Sequence, residues 1–227
     1  MFKSLLKFWK GKEFLKQVLD DFKNMLDDTQ LMFSSVYKCL IYGKEEPGLE
    51  DKIYDIDKKV NELQRDIRKR VVEHLSFQPS VDVATCLILM SVVKDAERLG
   101  DYAKNLFEVS QLLEEPVDRA LYGQLFNGIA EEIIMLFEQT KEAFLESDEE
   151  KARSSWGHET RISKRCDEVI KKVAESNFSV NEAVCFTLIA RYFKRLTAHL
   201  TNIATSVILP LTDLDYFDEK RRAEYEG

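Results

Sequence analysis

With 227 residues, the chain is long enough for one large helical domain or two smaller ones. A formal net charge of −8, and no basic stripe with interleaved aromatics, exclude nucleic acid as the main partner, because phosphate backbones reward dense Lys and Arg. Eight glycines and four prolines, beside 44% apolar and 33% charged residues, suit long uninterrupted helices.

Met1 to Lys12 reads as a basic amphipathic arm. Phe2, Leu5, Leu6, Phe8 and Trp9 are interleaved with Lys3, Lys7, Lys10 and Lys12. The pattern suits contact with an anionic membrane surface or a partner protein, and equally a short first turn whose aromatics dock on the body of the protein. The first helix is expected from about Lys12 to Tyr42, with Leu15, Val18, Leu19, Phe22, Met25, Leu26, Met32, Phe33, Val36 and Leu40 at three-and-four spacing. Gly43 is a candidate for the residue just past its end. The second runs from about Leu49 to Phe77, with Ile53, Ile56, Val60, Leu63, Ile67 and Val71 inward and a polar line of Asp57, Asn61, Gln64 and Arg68 beside them. The third opens at Ser80 after Pro79 and reaches about Leu113.

Glu114-Glu115-Pro116 marks the next break. A fourth helix is expected over Val117 to Leu145, with Leu121, Leu125, Ile129, Ile133, Leu136 and Phe144 inward. Ser147 followed by Glu150 is a capping-box pattern opening the fifth, which turns Ile162, Cys166, Val169 and Val173 inward. The sixth runs from Ser179 to about Leu209, with Val180, Val184, Leu188, Leu196, Ile203 and Val207 inward, and Pro210 ends it. Pro47, Pro79, Pro116 and Pro210 all fall at expected helix ends, where proline is tolerated. A helix of 30 residues spans about 45 Å, and six with short turns make antiparallel bundles.

No run is both long and apolar enough to cross a membrane, and Phe2 to Trp9 lacks the length and cleavage pattern of a signal peptide. Cys39, Cys86, Cys166 and Cys185 have no metal-finger spacing, so they are read as thiols in a reducing compartment, with Cys86 and Cys185 packed inside. The expected location is the cytoplasm, peripheral at the inner membrane face if the arm binds there.

The third and sixth helices echo each other. Ala96 to Leu106 can be laid on Phe193 to Ile203 with an offset of 97, and Arg98/Arg195, Leu99/Leu196 and Asn105/Asn202 recur in place. In the first copy Glu97 and Asp101, four apart, project from one face beside the small residues Ala96, Gly100 and Ala103. Like charges at this spacing cost a helix a few tenths of a kcal/mol unless a cation or solvent compensates. Arg98 has Asp95 and Asp101 within reach at three spacing. Asn105 and Asn202 suit either a hydrogen bond across helices or a simple exposed polar position, and His74 and His158, without partners at ligand spacing, read as surface residues.

Glu97-Arg98-Leu99-Gly100-Asp101-Tyr102-Ala103-Lys104-Asn105 resembles the repeated motif of the PhoU family, accessory proteins of bacterial phosphate uptake built from two three-helix repeats. Gln78-Pro79-Ser80-Val81-Asp82 is similar to the turn that opens that helix in the family, and Asp57-Lys58-Lys59-Val60-Asn61 to its acidic position in the preceding helix. The resemblance spans about residues 13–210. It implies a divalent or iron-type metal ion held by Glu97 and Asp101, helped by Asp57, Asn61 and Asn105, and carboxylates from adjacent helices are the hard oxygen donors such ions take. In the second copy Lys194, Thr197 and Ala198 stand at the acid, glycine and Asp positions, so no metal cluster is expected there. Lys194 would instead place an ammonium where the cation would sit, paired with a carboxylate such as Glu159.

The chain has no Glu-x-x-His pair of a di-iron bundle, no phosphate-binding Gly-rich loop and no recognisable nucleophile motif, so it is not read as an enzyme. The expected fold is all-α: two antiparallel three-helix bundles, residues 13–113 and 114–210, after an arm at 1–12 and before a charged tail at 211–227. The resemblance implies a regulator that couples a membrane phosphate transporter to a sensor histidine kinase through protein contacts. The basic arm at residues 1–12 is compatible with peripheral membrane contact, the net charge excludes nucleic acid, and a homodimer and a monomer both stay open. A metal-responsive helical bundle without a phosphate role, and a plain helical adaptor of a membrane transporter, are compatible with the same residues.

Overall fold

The computed structural model describes residues 13–42 and 47–215. The basic arm, Gly43, and residues 216–227 of the tail lie outside the described residues, as does the Leu15 side chain. Seven α-helices and no strand are found among the described residues: α1 Glu13–Tyr42, α2 Leu49–Phe77, α3 Val83–Leu112, α4 Arg119–Phe126, α5 Ile129–Glu146, α6 Glu149–Ala174 and α7 Val180–Thr205. A single 3-10 turn, Leu211–Asp213, follows. Pro47, Pro79, Pro116 and Pro210 all lie between these elements, as their missing N–H demands.

The expected fourth helix is two. Asn127 (φ 42°) and Gly128 (φ 80°) both adopt left-handed backbone and separate α4 from α5. Such a pair is a turn signal, because glycine and asparagine tolerate this region best. The break is held from outside. Arg165 of α6 donates to the Phe126 carbonyl at 3.2 Å, and also to the Asn127 carbonyl and to Glu132. Asp118 caps α4 by accepting from the amides of Ala120 (2.8 Å) and Leu121 (3.2 Å).

Three boundaries also differ from expectation. α3 begins at Val83, because Asp82 is itself left-handed at φ 61°. α6 is capped by Asp148, whose Oδ1 accepts from Glu150 N at 3.0 Å and Lys151 N at 3.1 Å, whereas Ser147 is the left-handed residue that closes α5. α7 ends at Thr205, and turns carry the chain on to Pro210. Its start is a full capping box: Glu182 N donates to Ser179 Oγ at 3.2 Å, and Ser179 N donates to Glu182 Oε2 at 3.0 Å.

The inward stripe of α1 is buried from Val18 to Leu40 as its spacing predicts. Ile162, Cys166, Val169 and Val173 of α6 are buried too. Val180 and Val184 of α7 are not: they are 83% and 49% exposed. The buried stripe of α7 lies one residue along, at Cys185, Phe186, Ile189, Ala190 and Phe193. His74 is also not a surface residue, since its side chain is 8% exposed and lies 3.4 Å from Asp82.

α3 and α7 are the inner helices. α3 packs against α1, α2 and α7, and α7 packs against α3, α5 and α6. The two run antiparallel: Asn181 at the start of α7 donates to the carbonyl of Leu112 at the end of α3 (2.8 Å). The offset of 97 also holds for burial, pairing Leu89 with Phe186, Ala96 with Phe193, Leu99 with Leu196, Gly100 with Thr197 and Ala103 with Leu200, all buried. One continuous apolar core joins both triplets. At its centre Phe33 of α1 meets Phe137 of α5 and Phe193 of α7, each with ring centroids 5.9 Å apart, and Phe126 meets Phe193 at 5.7 Å.

Candidate functional site: the acidic cluster of the first repeat

Ala96, Leu99, Gly100 and Ala103 form the wholly buried face of α3. Glu97, Asp101 and Lys104, at spacings of four and three, stand in a row along the edge of that face. α2 runs beside this edge and contributes Asp57 and Asn61. Small residues on the buried face keep the helices close, although glycine is not obligatory. A Cβ on Gly100 would meet Thr29 Cγ2 at 3.5 Å and Met32 Sδ at 3.8 Å, ordinary packing distances.

The expected residues come together in part. Lys104 Nζ lies 2.9 Å from Asp57 Oδ2 and 3.7 Å from Asp101 Oδ1, tying α2 to α3. Arg98 Nη1 lies 3.0 Å from Asp101 Oδ2, and its Nε is 3.9 Å from Glu97 Oε2. Asn61 Nδ2 donates to Asp57 Oδ2 over a long 3.4 Å. Asn105 is half-buried one turn further along α3, beyond these contacts. Burial pushes the Glu97 carboxyl above the usual carboxylate range, Asp101 adds to this, and Arg98 and Arg68 oppose it. Burial also works against the charge of Lys104, but its bond to Asp57 and the neighbouring carboxylates outweigh it and raise its pKa.

This donor set does not suit a metal ion as it is arranged. An ammonium, which has no lone pair to offer, sits between the two aspartates. Among the described residues, no group of three or more His, Cys, Asp or Glu side chains is placed to hold one. Lys104 is the residue that the sequence reading passed over. Its signal was there, since it lies three residues beyond Asp101, where an ion pair along a helix is expected.

In the second half, Lys194 at the position of Glu97 places Nζ 2.8 and 2.7 Å from the two oxygens of Asp167. The partner carboxylate is therefore Asp167, eight residues beyond the expected Glu159. The α2-to-α6 alignment was the obstacle, since it needs a shift that the third helices do not.

The seam between α3 and α7 holds a second polar group. Asp95, 6% exposed, turns away from Arg98 and lies 2.6 Å from His199 Nδ1, and Asn202 Nδ2 donates to the same oxygen at 3.2 Å. The His199 ring stacks on Tyr102 at 5.6 Å, and Tyr102 meets Tyr192 at 5.9 Å. His199 and Tyr102 are equivalent under the offset of 97, so they meet at the point where the two repeats cross. Of its two readings, Asn202 takes the cross-helix bond. The role of Asp95 needed the pairing of α3 with α7 and was not readable from either helix alone. No described helix is long and apolar enough to cross a membrane.

Comparison with known proteins agrees with this architecture. A family model described as PhoU domain matches twice, at residues 22–109 and 126–207. The chain is 20% identical over 185 residues to a phosphate-specific transport system accessory protein PhoU homolog of Clostridium acetobutylicum, covering 78% of this chain and 84% of that one. It is 24% identical over 198 residues to the homolog of Synechocystis, covering 85% and 87%. The crystal structure of PhoU from Pseudomonas aeruginosa superposes with a TM-score of 0.74 at 20% identity, covering 86% of this chain and 95% of that one. A phosphate transport system regulatory protein PhoU from Streptococcus pneumoniae superposes with a TM-score of 0.71 at 17% identity, covering 90% and 97%.

Proposed function

Because the chain belongs to the PhoU family, with both of its repeats matched, we propose that it is a non-enzymatic accessory protein of a phosphate-specific transport system. It restrains phosphate uptake and passes the phosphate state to a sensor histidine kinase through protein contacts. The observation that supports this most is the pair of matched segments lying on two three-helix units. Their third helices pack back to back, while α2 and α6 each bury one stripe and present a long charged face outward. Those outward faces are the surfaces offered to partners. Residues 1–12, with lysines interleaved with Phe2, Leu5, Leu6, Phe8 and Trp9, bring the protein to the inner face of the membrane where the transporter sits.

The test is retention of partners from solubilised membranes. The tagged full chain is expected to hold subunits of a phosphate transporter, in amounts that change between phosphate-replete and phosphate-starved cells. Retention of no transporter subunit under either condition would overturn the reading.

A further inference from the structure

The cation of the first-repeat cluster is supplied by the chain itself. Asp57 of α2 and Asp101 of α3 face each other across a helix seam, and Lys104 Nζ reaches both, at 2.9 and 3.7 Å. Arg98 holds the remaining oxygen of Asp101 at 3.0 Å. Three carboxylates, those of Asp57, Glu97 and Asp101, thus meet one ammonium and one guanidinium, and Arg68 adds its field at Glu97. The Lys104 and Asp57 side chains are only 21% and 15% exposed, so solvent screens the pair weakly.

A divalent ion needs several oxygens at about 2.0–2.6 Å around it. Protonated lysine has three donors and no acceptor, so it cannot join such a shell. For a metal to enter, Lys104 must release both aspartates and remain nearby as a like charge. The second repeat solves the same problem by another route. The acid itself is replaced by Lys194, which Asp167 holds with both oxygens, and Ala198 stands where Asp101 does.

We propose that Lys104 is the resident counter-ion of the first-repeat acidic cluster and excludes divalent metal from it, so that both repeats are neutralised by lysine and the surface is independent of metal. The proposal stands on side-chain geometry and does not depend on the phosphate reading.

The experiment is Mn²⁺ binding to the chelator-treated full chain, followed by calorimetry and by the paramagnetic signal of free Mn²⁺. The wild-type protein is expected to show no saturable site tighter than about 1 mM, the weak end of protein sites for divalent ions. Lys104→Met keeps the stem and the helix propensity but removes the charge. It is expected to gain one site, roughly tenfold tighter or more because a like charge has gone, and to lose it again when Asp101→Asn is added. Mn²⁺ raises the melting temperature of this variant and not of the wild type. Lys104→Arg, which keeps the charge, behaves as wild type. Saturable Mn²⁺ binding by the wild type that Glu97→Gln or Asp101→Asn abolishes would overturn the proposal and restore a metal site. So would a folded Lys104→Met that binds no more Mn²⁺ than wild type. If circular dichroism shows that Lys104→Met does not fold, Lys104→Gln replaces it with the same two deciding outcomes.

Discussion

Phe193 is one of the buried rings that join the two repeats, through its contact with Phe33, and Phe193→Ala measures its contribution. Its ring is 2% exposed, belongs to α7, and touches Phe33 of α1 at 5.9 Å and Phe126 of α4 at 5.7 Å. Removing a buried phenylalanine costs about 3–5 kcal/mol, through lost transfer energy and the cavity left behind. Each aromatic pair supplies about 0.5–1.5 kcal/mol of such a total, so two lost pairs place this site toward the upper half of that range. For a chain of this size, 1 kcal/mol corresponds to about 2–4 °C, so a loss of about 4 kcal/mol lowers the melting temperature by about 8–16 °C. The pseudo-equivalent residue is Ala96, buried in α3 with no ring to offer, so the first repeat cannot substitute. The assay is urea and thermal unfolding followed by far-ultraviolet circular dichroism and by tryptophan fluorescence. Both probes are expected to report one transition, displaced as a whole in the variant. A loss below about 1.5 kcal/mol, or two separate transitions in the wild type, would refute the claim that one core joins the repeats.

Gly100→Ala tests whether the motif glycine is required by space. Its added Cβ meets neighbours at 3.5–3.8 Å, so the variant is expected to gain about 0.5–1 kcal/mol from helix propensity, and a measured destabilisation would count against the packing described. Asp95→Ala removes the acceptor shared by His199 and Asn202 at the α3–α7 seam. A loss of about 1.5–3 kcal/mol in urea unfolding is expected, the range for a hydrogen bond to a charged group, and no loss would mean that the seam is held by apolar contacts alone. Glu132 carries a pH signature. Burial raises its pKa, but hydrogen bonds from Arg161 and Arg165 outweigh this and leave it below the usual value. Its contribution is therefore present above the unfolded carboxylate pKa and is lost as pH falls through the lower, folded one. Acid titration of stability should be steeper in wild type than in Glu132→Gln, and parallel curves would contradict the pairing.

Most of the fold was legible because long helices advertise themselves. The α1 stripe from Val18 to Leu40 and the α6 stripe from Ile162 to Val173 are buried as their spacing requires. The third-helix echo predicted which residues of α3 and α7 share a role, and Gly100 and Thr197 are both buried in register. Reading failed where two signals competed. Asn127-Gly128 is a turn pair inside an otherwise helical apolar pattern, and Arg165, distant in sequence, stabilises the break. At the start of α7 the valines at 180 and 184 suggested an inward stripe, but helix packing selected the one beginning at Cys185. In the site, Glu97 and Asp101 stand out as carboxylates at four spacing that a cation or solvent must compensate, whereas Asp57 was implied only by the resemblance to the family motif. The identity of the compensating group depends on how α2 docks on α3, which brings Lys104 between Asp57 and Asp101.

Phosphate uptake in cells that lack this chain tests the central claim most directly. Loss of the chain is expected to leave uptake high when phosphate is abundant, and re-expression of wild type is expected to bring it down again. The Lys104→Arg variant, in which the internal cation is kept, should restore control as fully as wild type. Uptake that is the same with and without the chain, in both abundant and scarce phosphate, would contradict the account.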